Sequence, residues 1–477
     1  MTAGPCQPGV AAQFAASVRR IAPLAWPVFV GQLAVLAFAT VDTLLVARLS
    51  PTDLAALAVG SAVFITVFLG FMGVVLGIGP IVGQLFGAGR LEDAGRQAHQ
   101  AVWIALALSC VGSTVLAFPG PFLTLARASP EVAEKVRAYL LALAFSLPAS
   151  LLFTVLRGFS GAVSRPKAIM ALQLGGLAIK VPLSAALVLG VPGLGMPALG
   201  AAGCGISTCV AMWAQLLAGI WLMRRDPFYA GFKLAGRPGL RLGLGLDPPQ
   251  RRAITALLRL GLPIGGSILV EATSFAFMAL FISRLGTTAV AGHQIAANLA
   301  SIMFMVPLAL GNATGSLVAQ RIGAGDAADA RRLAWHGLVL ACAVAALIAS
   351  LVYLLREQLV GAYTHDAAVV AAALPLMAWL VWFHLGDAAQ TLVAFVLRAY
   401  RIASVPLLVY LLALWGVGLG GGYVLAFDLT GHVPGKLQGA PGFWAAASAG
   451  LALAALALAT YLVWMFKQQR VEANRRG

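Results

Sequence analysis

Acidic residues are scarce in this chain: Asp and Glu number 16 in 477 residues, against 32 Lys and Arg. Charged residues of both signs make up only 10% of it, where soluble domains carry about 25%. Hydrophobic residues make up 61%, and the mean hydropathy is +0.92. A water-soluble globule cannot hide that much apolar surface, which argues against a cytosolic enzyme. In a soluble protein the net charge of +16 would suggest nucleic acid. Here it is expected at membrane edges, and no nucleic-acid partner is expected.

Cysteine is also sparse. Cys6, Cys110, Cys204, Cys209 and Cys342 form no CxxC pair, and four of them lie in apolar runs. They read as inert packing residues, with no disulfide framework or zinc site. The start, MTAGPCQPGV, lacks the basic opening of a cleavable signal, and the first apolar run follows Arg19-Arg20. No GxxxxGK[ST] phosphate loop and no HExxH are present, so no ATPase motor, no cofactor and no enzyme chemistry are expected. Gly416-x-Gly418-x-x-Gly421 matches a dinucleotide fingerprint in form only, because it lies inside an apolar run with no preceding strand.

What is present is hydrophobic length. A bilayer span needs about 20 apolar residues. Twelve such segments can be marked, from 21–46 to 441–466, and several exceed that length, so tilt and kinks are expected. Placing Lys and Arg on alternate faces puts 24 on the side of the two termini, 7 on the other, and Lys180 inside a segment. The positive-inside rule then puts both termini in the cytoplasm. The Gly-, Pro- and Arg-rich stretch 224–258 reads as a linker between an N-terminal six-helix lobe (1–223) and a C-terminal one (259–477).

The two halves repeat. At an offset of 236 residues, Pro27 falls on Pro263 and Arg48 on Arg284. GQLFGAGRLEDAGR (83–96) falls on AQRIGAGDAADARR (319–332), and VLRGFSGAVSRP (155–166) is echoed by VLRAYRIASVP (396–406). An even number of spans per half makes the repeats parallel, as in transporters that place substrate near the midplane. Gly73-xxx-Gly77, Gly79-xxx-Gly83 and Gly311-xxx-Gly315 read as close helix contacts.

Few ionisable residues lie well inside the segments: Asp42, Lys180, Glu271, His384 and Asp387. A charge at a span centre costs about 2.5–3.5 kcal/mol even on a lenient scale, so each is a functional candidate. Glu271 lies about 18 Å from both Arg259 and Arg284 at the helical rise, close to the midplane. Asp387 is also deep. Two carboxylates at similar depth in one half can hold a cation and trade a proton for Na⁺. Asp42 and Lys180, both in the first half, could form an internal ion pair with a purely structural role. His384 reads as a satisfied interior histidine before it reads as a relay.

These stretches resemble the multidrug and toxic compound extrusion (MATE) transporters, in particular the NorM-like branch. The resemblance covers about residues 17–466. It is carried by PVFVGQLAVLAFATVDTLLVARLSPTDLAALAVG (27–60), LRGFSGAVSRP (156–166), PALGAAGCGIST (197–208), GLPIGGSILVEATSFAFMALFISRLGTTAVAGHQIAANLASIMFMVPLAL (261–310) and GDAAQTLVAFVLRAY (386–400). It implies an all-α integral membrane protein of 12 helices, built as two parallel six-helix repeats around a central cavity. It implies a bacterial inner-membrane exporter of amphipathic, often cationic drugs in exchange for Na⁺ or H⁺, acting as a monomer. Asp42, Glu271 and Asp387 match the family's coupling acids. The latter two are associated with cation binding, including Na⁺. Gln32, Gln173, Ser184, Phe383 and His384 are candidate cavity residues, and Gly292-His293-Gln294 reads as structural.

The chain departs from the family at two points. The usual N-x-P-L-N becomes Lys180-Val181-Pro182-Leu183-Ser184, and the tyrosine that some members carry before the tenth-segment Asp becomes Phe383. An ammonium would satisfy Asp42, so the first-half site is expected to bind H⁺ or Na⁺ poorly. Coupling should then lean on Glu271 and Asp387. Two other readings remain. A flippase for a lipid-linked precursor would need a basic cavity, and a membrane-embedded transferase would need a catalytic constellation.

Overall fold

The structure, a computed structural model, describes residues 9–126, 129–191, 193, 195–234 and 246–476. Cys6, Arg127 and the middle of the expected linker lie outside them. Among the described residues, twelve helices are long and apolar enough to cross a membrane. Spans 1–6 are Val10–Ala47, Pro51–Gly87, Leu91–Ala117, Pro130–Ala162, Pro166–Leu189 and Ala201–Arg225. Spans 7–12 are Arg251–Leu285, Thr287–Gly323, Ala327–Leu354, Ala367–Ala399, Ser404–Ala426 and Ala440–Val471. Each expected segment has its helix. Many of the helices run past the apolar stretch, because polar residues continue a helix once it reaches water.

Local chemistry sets the ends. Ser50 accepts from the Asp53 amide, with Pro51 at the first helical position, and Ser129 with Pro130 repeats the arrangement. Asp366 caps span 10 through the amides of Ala368 and Val369. The strongest repeat match, GAGR against GAGD, is a helix stop. Gly89 and Gly325 have φ of +72° and +77°. The following amides, Arg90 and Asp326, turn back to the carbonyls of Leu85 and Arg321. That left-handed turn is open to glycine at no steric cost.

The helices pack as two compact units. One joins the described residues up to Phe29 with Val270 onward, and the other is Val30–Leu269. Neither boundary falls in the 224–258 linker. Instead the first part of span 1 packs with the second half of the chain, and the first part of span 7 packs with the first half.

The cause is visible in each unit. Ile21 and Ala25 are buried among Ala309, Ala313, Leu317 and Ala334. Arg20 binds Asp329 with one nitrogen 2.8 and 3.1 Å from its two oxygens, and Ser17 meets His336 at 2.7 Å. In the other unit Gly73 and Gly77 face Gly265 and Gly261, so that a Cβ at Gly261 would collide with the Val74 carbonyl. At the 236-residue offset Ala25 is the twin of Gly261, and Ala309 and Ala313 are the twins of Gly73 and Gly77. The two contacts are therefore one repeated contact. Gly311 and Gly315 likewise lie against Phe395. Gly79 faces open space, so the expectation of a close contact fails there.

Candidate functional site

In the second-half unit, spans 7, 10 and 11 bring their few polar side chains together. Glu271 lies on span 7, and Asp387 and Gln390 lie one turn apart on span 10. The Gln390 amide nitrogen sits 3.3 Å from Glu271 Oε1, 2.9 Å from Asp387 Oδ1 and 2.9 Å from Thr391 Oγ1. Its carbonyl oxygen accepts from the Tyr410 hydroxyl of span 11. Asp387, Gln390, Thr391 and Tyr410 are all buried.

This arrangement has a chemical consequence. One amide carries two hydrogens but faces three acceptors, so it cannot satisfy both carboxylates and the hydroxyl fully. The set offers carboxylate, amide, threonine and tyrosine oxygens, which suit a proton or a hard cation such as Na⁺. Among the described residues no group of three or more His, Cys, Asp or Glu could hold a metal ion.

Span 11 continues from this cluster into an irregular stretch. Leu411–Gly420 (LLALWGVGLG) is π-helical and begins directly after Tyr410. Such wide turns are frequent at functional sites. Trp415 donates to the Val270 carbonyl at 3.1 Å, and Ser274 donates to the Leu414 carbonyl at 3.2 Å. These bonds tie the π-helical stretch to span 7 on both sides of Glu271.

The first-half unit holds a different site. The Lys180 ammonium lies 2.9 and 3.0 Å from the two Asp42 oxygens and donates to Thr208 Oγ1 at 2.6 Å. Ser184 reaches Asp42 at 3.4 Å and Ser207 at 2.6 Å. The Phe38 ring lies 5.3 Å from the ammonium. Lys180 is 0% exposed, so its hydrocarbon stem and its charge are both fully enclosed. The carboxylate already has a cation of its own.

The candidate cavity residues scatter. Ser184 joins Asp42. Gln32 does not: its Oε1 accepts from Arg157 at 3.2 Å. Gln173 is buried against Gly31. Phe383 packs with Phe275 and Trp444, at 6.0 and 5.2 Å between ring centres. His384 is buried, and its Nε2 has no partner among the described residues. His293 is buried and accepts from the Trp444 indole at 3.3 Å, a packing role.

Gln390, Thr391 and Tyr410 were not singled out from the sequence. The signal for Gln390 was its spacing, three residues past Asp387 on one helix face. Tyr410 had no such signal, because a tyrosine breaks no rule of composition in an apolar span.

Comparison with known proteins covers most of the chain. The MatE family model matches residues 27–186 and 263–424. The "Probable multidrug resistance protein NorM" of Aromatoleum aromaticum is 40% identical over 451 residues, covering 94% of both chains. The "Multidrug resistance protein PmpM" of Pseudomonas aeruginosa is 35% identical, covering 93% of this chain and 90% of that one. Among solved structures, the eukaryotic MATE transporter AtDTX14 superposes with a TM-score of 0.83 at 19% identity, covering 97% and 99% of the two chains. The Vibrio cholerae transporter VcmN in its bent form gives a TM-score of 0.80 at 18% identity, covering 97% and 98%. These structures share the fold, two lobes of membrane-spanning helices.

Proposed function

Because the chain belongs to the MatE family, we propose that it is a multidrug exporter exchanging small organic cations for inward-moving H⁺ or Na⁺ by alternating access. The observation that carries this reading is the Glu271–Gln390–Asp387 cluster, two carboxylates bridged by one amide deep in a span bundle. The names of the relatives from Aromatoleum and Pseudomonas support drugs as cargo. The site of action is a bacterial inner membrane, with both termini on the cytoplasmic side and the chain working as a monomer without a cofactor.

The cycle follows from charge balance. A cation entering from outside binds the two carboxylates, and this state releases drug outward. After the transition the cation leaves inward and a cytoplasmic drug takes its place. The ion's own concentration gradient drives export without ATP, and the membrane potential adds about 2.3 kcal/mol per 100 mV for each elementary charge by which the entering ions exceed the exported cation. The Asp42–Lys180 pair is internally neutral and takes no part in ion uptake, so coupling rests on the second-half cluster.

The test is resistance in a drug-sensitive host. Glu271→Gln or Asp387→Asn is expected to abolish efflux while expression stays intact. Normal resistance from well-expressed variants would remove the assignment.

A further inference from the structure

Spans 9 and 12 meet at the end of the second-half unit that carries the chain's excess of basic residues. Between them lies a groove of about 380 Å³. Its polar rim is made by Arg331, Arg332, Lys467 and Arg470, and its floor by Trp335 and Phe466. Among the described residues none of the four cations lies within ion-pairing distance of a carboxylate. Asp329, an acid of the same helix turn, is bound instead to Arg20 and to Arg321, at 2.8 and 3.1 Å. The Tyr400 hydroxyl, buried beside the groove where its ring meets Phe466 at 5.6 Å, likewise has no partner among the described residues.

The repeat supplies a control within the same molecule. At the 236-residue offset, Arg331, Arg332 and Trp335 correspond to Gly95, Arg96 and His99. In the first-half unit that surface is covered by the chain itself. The Phe232 carbonyl lies directly on Gly95, and His99 bonds to the Leu234 carbonyl and to Asp247, both at 3.1 Å. Arg96 is paired with Asp93 at 3.4 Å. The second half keeps the same helix end but presents four unpaired cations over an aromatic floor.

We propose that this groove binds the phosphodiester headgroup of an anionic phospholipid from the adjoining leaflet. Two features of the surroundings select a lipid over a free anion. The groove sits where spans 9 and 12 leave the hydrocarbon, and basic pockets between helices at that depth suit anionic headgroups. Below the rim the surface is apolar and outward-facing, with Val339 and Trp464 both more than half exposed. It offers acyl chains a wall, and Trp335 and Trp464 mark the interface level at which indoles concentrate. Bound there, the lipid bridges spans 9 and 12 and offsets part of the repulsion among four like charges.

The experiment is lipid retention by the full chain, purified in uncharged detergent and read by native mass spectrometry. Offered equal phosphatidylglycerol and phosphatidylcholine, the wild type is expected to retain the anionic lipid at least tenfold more. Arg331→Gln/Arg332→Gln/Lys467→Gln/Arg470→Gln should bring the two lipids level, with Lys467→Gln/Arg470→Gln alone giving an intermediate ratio if the fourfold variant fails to fold. Arg251→Gln/Arg252→Gln, which removes two exposed cations elsewhere, should leave the ratio unchanged. Inorganic phosphate at matched concentration should not compete. Equal retention by wild type and groove variants would overturn the proposal. So would an equal loss in the Arg251/Arg252 variant, which marks unspecific charge attraction, or displacement by phosphate alone, which marks a free-anion site.

Discussion

Asp42 and Lys180 are a buried ion pair, and such pairs respond asymmetrically to mutation. Removing one partner leaves an uncompensated buried charge and costs about 3–5 kcal/mol, whereas replacing both with apolar groups can be neutral. Asp42→Asn is therefore expected to destabilise the protein strongly, and Asp42→Leu/Lys180→Met to recover much of the loss in a thermal-unfolding assay. Lys180→Asn frees Asp42 to titrate and should change the pH dependence of transport. An unchanged profile would count against a role of the ammonium in silencing that site. Tyr410→Phe removes the hydroxyl from the Gln390 carbonyl. An unsatisfied buried acceptor costs about 1–3 kcal/mol, so apparent cation affinity should fall about tenfold in an ion-titrated transport assay. At this scale the sequence showed the charged members of both sites, because each broke the composition of its span. It did not show Gln390, Thr391 or Tyr410, whose neutral side chains are ordinary in apolar helices until a carboxylate lies beside them.

The helices themselves were legible from hydropathy, whereas GAGR and GAGD showed a repeat and only the left-handed turns at Gly89 and Gly325 show that they are stops. Their partners were less so. Gly73-xxx-Gly77 announced a close contact but not that Gly261 and Gly265 of span 7 would meet it. The linker composition marked where the chain crosses between halves, whereas the packing boundary falls within spans 1 and 7, at Phe29 and Val270. Buried contact decides that boundary, and chain connectivity does not. The contact gives a prediction of sign. In an open helix, Gly→Ala gains up to about 1 kcal/mol from propensity. At Gly261 the new methyl would meet the Val74 carbonyl, and overpacking costs about 1–3 kcal/mol. Gly261→Ala should thus lower the melting temperature, while Gly79→Ala, facing open space, should hold or raise it.

For the whole molecule, the repeat and the charge bias speak to how twelve helices are ordered and oriented, and neither speaks to what moves through them. That depends on the second-half cluster. The two halves have come to differ in chemistry while sharing a fold: one encloses its own ammonium beside its acid, and the other keeps two acids with a single shared amide. The central claim is that the acid pair carries the coupling ion. Its most direct measurement is uptake of a fluorescent organic cation into proteoliposomes under imposed H⁺ or Na⁺ gradients, each applied alone. Wild type should accumulate the dye when one of these gradients opposes it, and Asp387→Asn should not respond to either. Gradient-driven uptake that survives intact in Asp387→Asn and Glu271→Gln would contradict the account.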